Sequence, residues 1–527
     1  MKKQYILMSL AATALMFSAS CKKENFDSRY RNPAKVESAS VDKGFAGMIY
    51  SYRELIVPSY GNYFVTLRPT IFRYTQTTGY FNETNLLTPG AAALDERWER
   101  YYRGLTQFRD MTNVYNSLPE EEKTERQAYL WFAKIVHFDQ TQQVVDLHGS
   151  IPWSEAGTLR ENKGDYSKTF AKFDKAEDIY KTMLDELKVI SDALVTYKIP
   201  ASLNNNFATQ DLINGGNLDL WRKYCNSLRL RMLTRVQSSA AFSSRATAEL
   251  KEIIDNPTKY PVILVNADNA QLDVFNPSSD INSRGLKDAL ESGGDWYANL
   301  GSKGMIDQMN TLKDPRLPIL FEKGAKSPTA FIGLDPSLTA TAQLALARGG
   351  TISIYNKSTF SQNQVFPGIL FSAAESNFLI AEYYVRNGQA TLAKAKFDNG
   401  VRESINMYYA IRSKSNNQIT PITPAPTAGE IDTYLTALNW AAAPNKLNLI
   451  ANQKWIHFNI TQPIEGWSEV RRLDYPKFSF VLENSDIQKT VPVKWQMAPS
   501  EVTYNNDNYK AVEGESNPNT KLFWDLN

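Results

Sequence analysis

The stretch AESNFLIAEYYVRNGQATLAKAKFDNGVRESINMYY, residues 374–409, reads as two helices folded back on each other. Ala374 to Arg386 forms the first helix, Asn387-Gly388-Gln389 the turn, and Ala390 to about Tyr409 the second. Glycine supplies the backbone freedom that such a helix-ending turn needs. Ala381, Gly388, Ala393 and Ala395 put small residues at close-packing positions. The same periodicity recurs upstream. From Phe173 to Leu194, apolar Phe173, Ala176, Tyr180, Met183, Leu187, Ile190 and Leu194 return every three or four residues, with charged side chains crowding the other positions. That is one buried stripe on one helix. Glu125 to Leu147 is a further helical stretch, with Gly149 as its left-handed stop and Pro152 just beyond. The fold class expected is mainly α.

The 374–409 pair resembles a tetratricopeptide unit. No regular repeat of about 34 residues runs along the chain, so the expectation is tetratricopeptide-like helix hairpins and not a repeat array. Two loop-rich insertions interrupt the helices. The first, about 257–366, carries the turn signals Asn276-Pro277, Gly293-Gly294, Asp314-Pro315, Asp335-Pro336 and Gly349-Gly350; the second, 416–429, includes Pro421, Pro424 and Pro426. The last 30 residues also read as loops. Long ordered loops on a helical scaffold are where binding function tends to sit.

The start of the chain reads as an address. Met1-Lys2-Lys3 is basic, Tyr5 to Phe17 is apolar apart from Ser9 and Thr13, and Ser18-Ala19-Ser20 precede Cys21. This order marks a secretory signal peptide over 1–20, and its apolar run is shorter than the roughly 20 residues that span a bilayer. The cysteine directly after the small residues resembles the bacterial lipobox, which predicts cleavage before Cys21 and acylation of its side chain. Residues 21–40 are then a lipidated, flexible tether, and 41–527 a single helical body.

Composition narrows the function. The 527 residues carry 58 basic and 56 acidic side chains, a net charge of +2, which argues against a nucleic-acid binder. Aromatic residues are abundant, with 27 Tyr, 25 Phe and 10 Trp, enough for a core and for stacking surfaces. With Cys21 acylated, Cys225 has no disulfide partner and reads as a buried small hydrophobe. His137, His148 and His457 show no zinc-ligand spacing, and no metal or cofactor is expected.

Chemistry-bearing patterns are few. Glu465, Glu469, Arg471 and Arg472 invite comparison with a glycosidase acid pair, but the nearby arginines favour ion pairs that fix a helix corner. There is no Gly-x-Ser-x-Gly, no Walker loop and no His-Glu-x-x-His. Catalytic residues are therefore none. Sugar rings stack on aromatic faces while their hydroxyls need planar polar partners. Two loop clusters meet that description: Tyr80-Phe81-Asn82 after Thr77-Thr78-Gly79, and Trp296-Tyr297 after Gly293-Gly294-Asp295. Trp98, Trp131, Trp221, Trp455 and Trp467 sit in helical patterns and read as packing.

Several segments together resemble the SusD/RagB family of nutrient-binding outer-membrane lipoproteins, in its SusD-like branch. They are Asp146-Leu147-His148-Gly149-Ser150-Ile151-Pro152-Trp153, with His148 and Ser150 where the family has Tyr and Asp; Asp211 to Arg231; Asp314-Pro315-Arg316-Leu317-Pro318; Gln453-Lys454-Trp455-Ile456 with Glu465 to Arg472; and Leu522-Phe523-Trp524-Asp525. They run in order over nearly the whole chain. The resemblance implies a SusD-like helical fold with a loop-rich ligand face and no catalysis. It also implies a SusC-like, TonB-dependent outer-membrane transporter as partner, over which the lipoprotein closes as a lid. The ligand it implies is an oligosaccharide, or in some members a peptide. A surface hydrolase and a module that binds only other proteins are the competing classes.

Overall fold

The structure, a computed structural model, describes residues 40–527 apart from 292, 295, 296 and 482–487. Cys21 and its tether up to residue 39 lie outside the described residues, as does Trp296. The architecture is mainly helical, and no described helix is long and apolar enough to cross a membrane. The helices that matter below are α1 (Val41–Ile56), α2 (Ala91–Asn116), α3 (Glu120–His148), α4 (Ala176–Ala193), α5 (Leu218–Val236), α6 (Lys303–Leu312), α7 (Ala373–Arg386), α8 (Ala390–Lys414), α9 (Lys446–Phe458) and α10 (Pro463–Leu473). Neighbours in sequence pack as hairpins: α2 on α3, α7 on α8 and α9 on α10, with α1 laid along α2. Among the described residues, three two-stranded sheets join separate loops.

Local chemistry sets the boundaries. The stripe predicted from Phe173 begins three residues late. Phe173 and Asp174 pair antiparallel with Ile151 and Pro152, and Asp174 accepts from Trp153 N (3.0 Å), Ser154 N (2.8 Å) and Ser154 Oγ (2.7 Å). Those bonds hold the chain extended through Lys175, and α4 starts at Ala176 with Ile179, Tyr180, Met183, Leu187 and Ile190 buried. α3 ends at Gly149, whose φ of +89° is closed to most side chains. Cys225 is buried as expected, its thiol pushed up to about 12 by burial.

The 374–409 hairpin forms with its turn at Gly388 (φ +70°). Ala381 and Ala393 are buried, but Ala395 is exposed, and Gly388 serves the turn and not the helix contact. The close approach is made by Gly400, where an added Cβ would lie 2.6 Å from the Phe378 ring. α8 runs on to Lys414 because Ile411 and Arg412 extend its buried face.

Two arginines one turn apart on α5 bind the bundle together. Arg231 donates to Asp139 of α3 (2.9 Å), to both carboxylate oxygens of Glu375 of α7 (2.5 and 2.9 Å) and to the Leu370 carbonyl (2.9 Å). Arg235 bonds Asp146 of α3 and Glu465 of α10 (2.6 Å). A second cluster adjoins it: Arg472 grips both oxygens of Glu382 (2.6 and 2.6 Å) and both of Glu469 (3.0 and 2.6 Å), while Lys454 of α9 reaches Glu469 (2.6 Å). Glu465 and Glu469 are thus ion-paired, and Arg472 and Lys454 hold Glu469 ionised well below the usual carboxylate range against the cost of burial. Arg471 departs from the expectation. It donates to the Val493 (2.8 Å) and Asp146 (2.9 Å) carbonyls and lies 3.9 Å over the Trp467 ring.

Removing one partner of such a network strands a buried charge, which is more damaging than never having had the pair. Arg235→Met is expected to lower unfolding free energy by about 3–5 kcal/mol in urea titrations; a change below about 1 kcal/mol would show that Asp146 and Glu465 do not need this partner.

Acid should also loosen the fold. Burial holds His148 and His457 down at about 3 and His137 well below its ordinary value, so their stabilisation is present above the unfolded value of about 6.5 and lost as pH falls below it. Burial pushes Asp146 up to about 6 and Glu375 to about 7; their contribution has the opposite sense, present at low pH and lost as pH rises through those values. At pH 5 the unfolded chain holds about three imidazole protons while the folded chain holds about two on these carboxyls. Stability is expected to fall between pH 7 and 5, by about 1 kcal/mol per pH unit at the lower end of that window, and more steeply in Glu375→Gln, as followed by denaturation midpoints.

Candidate functional site

A cleft of about 490 Å³ opens between α6, the 335–337 turn, α9 and the 475–481 segment. α6 is oriented by buried Met305, Ile306 and Met309, which leaves Lys303, Asp307 and Gln308 toward the cleft. Lys303 and Asp307 neutralise each other at 2.5 Å. The 335–337 rim is pinned from both sides. Asn82 donates to the Pro336 (2.8 Å) and Leu338 (2.6 Å) carbonyls, and Gln343 donates to the Asp335 carbonyl (2.9 Å) and accepts from Asn82 N (2.7 Å). Asp335 accepts from Ser337 Oγ (2.6 Å) and Ser337 N (2.8 Å), bonds that hold its carboxyl below the usual range.

The opposite wall is aromatic. Trp455 Nε1 donates to the Thr75 carbonyl at 2.8 Å, fixing an indole whose centroid lies 5.5 Å from that of Phe478. Gln76, at a left-handed φ of +46°, donates to the Ser479 carbonyl (2.6 Å) and the Tyr80 hydroxyl (3.3 Å), tying the 475–481 segment to the body. Tyr80 in turn stacks on Phe480, centroids 6.4 Å apart. Gln308 and Asn452 also line the cleft, and among the described residues their side-chain amides have no hydrogen-bond partner. Both continue into a second pocket of about 300 Å³, walled by Leu312, Leu438 and Leu449.

Chemically this is a binding surface. Of the carboxylates in the cleft, Asp307 is ion-paired and Asp335 is held ionised, so neither is poised as a general acid. Stacking faces with free planar amides suit a neutral, hydroxylated ligand.

Four of the five predicted ligand residues come together beside the cleft. Tyr80 and Asn82 are buried and act from behind, supporting Phe480 and the rim. Phe81 and Tyr297 meet edge to face at 5.9 Å and pack on Leu300, Leu334 and Ile352. The recess between them and Arg73 holds only about 40 Å³. Gln76, Gln308, Asn452, Phe478 and Phe480 escaped the sequence reading, and Trp455 was read as packing. It is 4% exposed and still contributes to the cleft wall. The alternation Phe478-Ser479-Phe480 after Pro476 was the available signal, being two aromatics in a segment that cannot be helical. Trp98, Trp221 and Trp467 are buried, and Trp131 packs on Tyr197, as expected.

A helical body that offers a neutral, aromatic-walled cleft belongs to the class of binding proteins. A family model described as "Starch-binding associating with outer membrane" matches residues 52–497, and the chain belongs to this SusD-like family, whose members are non-catalytic binding proteins of the outer membrane. No curated protein matches the chain. Solved structures do. A chitin-binding protein superposes with a TM-score of 0.72 at 21% identity, covering 92% of this chain and 100% of its own. A SusD homologue from Parabacteroides distasonis gives 0.69 at 20%, covering 93% and 98%. A chitin-binding SusD homologue from Flavobacterium johnsoniae gives 0.66 at 20%, covering 92% and 99%. At these identities the likeness establishes the fold.

Proposed function

We propose that this chain is a surface lipoprotein, anchored through acylated Cys21, that captures an oligosaccharide in the cleft beside Trp455 and passes it to a SusC-like, TonB-dependent outer-membrane transporter. One observation carries the ligand class: the Phe478 and Phe480 rings and the uncommitted amides of Gln308 and Asn452 line one cleft, in which Lys303 and Asp307 on α6 are paired to each other. A neutral polyhydroxylated chain uses both features and needs no counter-charge. Family membership supports the transporter as partner, and two of the structural neighbours are described as chitin-binding. Phe81 and Tyr297, with Trp296 next in sequence, are proposed as a secondary contact at the side of the cleft.

Calorimetry against panels of neutral oligosaccharides and of peptides tests the ligand class. Phe478→Ala is expected to weaken oligosaccharide binding by about 1–2 kcal/mol while the melting temperature stays within a few degrees, since Phe478 is half-buried at the cleft. Binding of peptides alone would reverse the assignment. Cys21→Ala should release the protein from the membrane fraction; a variant that still pellets with membranes would dismiss the lipid anchor.

A further inference from the structure

The second pocket differs from the cleft it continues. Its wall is aliphatic, made by Leu312 at the end of α6, Leu438, and Leu449 on α9. Leu312 and Leu449 are half-buried, so their apolar surface is still open to water. The polar groups around them are already engaged. Gln453 accepts from Arg316 (2.7 Å) and donates to the Tyr434 hydroxyl (3.0 Å), and the Thr311 hydroxyl donates to the Asp307 carbonyl (2.8 Å). The uncommitted polar side chains are Gln308 and Asn452, and both stand at the saddle shared by the two pockets. From cleft to pocket the sequence of surfaces is aromatic face, planar amide, aliphatic hollow.

We infer that the groove selects an N-acetylated oligosaccharide, one ring stacked in the aromatic cleft and an acetamido group reaching across the saddle. This rests on the oligosaccharide reading above and specifies its substituent. An acetamido group is a planar amide ending in a methyl, the same order as the saddle and the leucine hollow. Its N–H and C=O find partners in the Gln308 and Asn452 amides, which each offer a donor and an acceptor. Its methyl enters the hollow and removes leucine surface from water. A hydroxyl directed there would leave its own hydrogen bonds unmade against leucine, so an unsubstituted sugar loses on both counts. An ammonium in place of the acetamide fares worse, because it would exchange water for a leucine hollow whose lining, among the described residues, holds no carboxylate. The 300 Å³ hollow is large enough for the acetyl group with part of the ring behind it.

The test compares three β-1,4-linked tetrasaccharides of the same backbone, namely N-acetylglucosamine, glucosamine and glucose, with an alanine–leucine tetrapeptide as a fourth arm. Each is titrated by calorimetry into the full-length lipoprotein in detergent. The acetylated sugar should bind at least about tenfold more tightly than either of the other two, the scale of discrimination one apolar group in a fitted pocket provides. That advantage should vanish in Leu449→Gln and shrink in Gln308→Ala, a half-exposed helix position where folding is not at risk, while glucose tetrasaccharide binding changes by less than about twofold in Leu449→Gln. Equal affinity for the three sugars, or an acetyl preference that survives both substitutions, overturns the inference and leaves the oligosaccharide reading standing. Binding of the tetrapeptide with no binding of any sugar overturns both.

Discussion

Arg231 and Arg235 share one face of α5 because they are four residues apart, and that face meets three other helices at once. Asp139 and Asp146 on α3, Glu375 on α7 and Glu465 on α10 all turn inward to the two guanidiniums. Guanidinium is suited to this position, since its fixed fork satisfies two carboxylates and a backbone carbonyl without needing water. A buried lattice of this sort adds little stability over a well-packed apolar core, but it permits very few alternative arrangements of the helices. Here it fixes the register of α7 and α10 against α3 and α5. The second cluster, through Lys454 and Arg472, extends the same constraint to α9. The cleft is built on the far side of α9, so its position follows from charges that never touch it.

How much of this could be read beforehand depended on how local the cause was. Helix α4 and the α7–α8 hairpin announce themselves in spacing alone, because each buries a stripe whose period is set by helix geometry. The errors were local as well. Phe173 fitted the period but was captured by a strand pairing with Pro152, and Ala395 fitted the idea of a small contact residue that Gly400 in fact supplies. The Glu465–Arg472 segment was legible only in part. Its acids could be seen to want cations, yet Arg235 stands 230 positions away and Lys454 on another helix. The cleft was the least legible feature, for the same reason. Gln76, Gln308, Asn452 and Phe478 belong to four separate segments, and no window of sequence holds two of them. The turn signals in 257–366 fall on the segment that forms the rim, and Tyr80 and Asn82 lie beside the cleft, where they brace its wall and do not face the opening.

The cleft is well prepared for a ligand because its supports are polar and buried. Trp455 is held by its indole N–H, Phe480 by stacking on Tyr80, the 335–338 turn by Asn82 and the 475–481 segment by Gln76. Each support removes a motion that a ligand would otherwise have to arrest, which is how rigid sites reach useful affinity with few contacts. The two amides left free are then the adjustable part of an otherwise fixed surface.

Residues 452 to 455 of α9 face two ways. Lys454 points into the ionic core, while Asn452 and Trp455 look out on the cleft. One side of the opening is therefore cast in a helix that cannot drift without disturbing the whole bundle. Part of the remaining lining, the 335–337 turn and the 475–481 segment, hangs on a handful of side-chain hydrogen bonds to backbone. Such a division separates stability from fit: substitutions in those two loops can reshape the opening while the bundle stays as it is, whereas substitutions on α9 alter both at once.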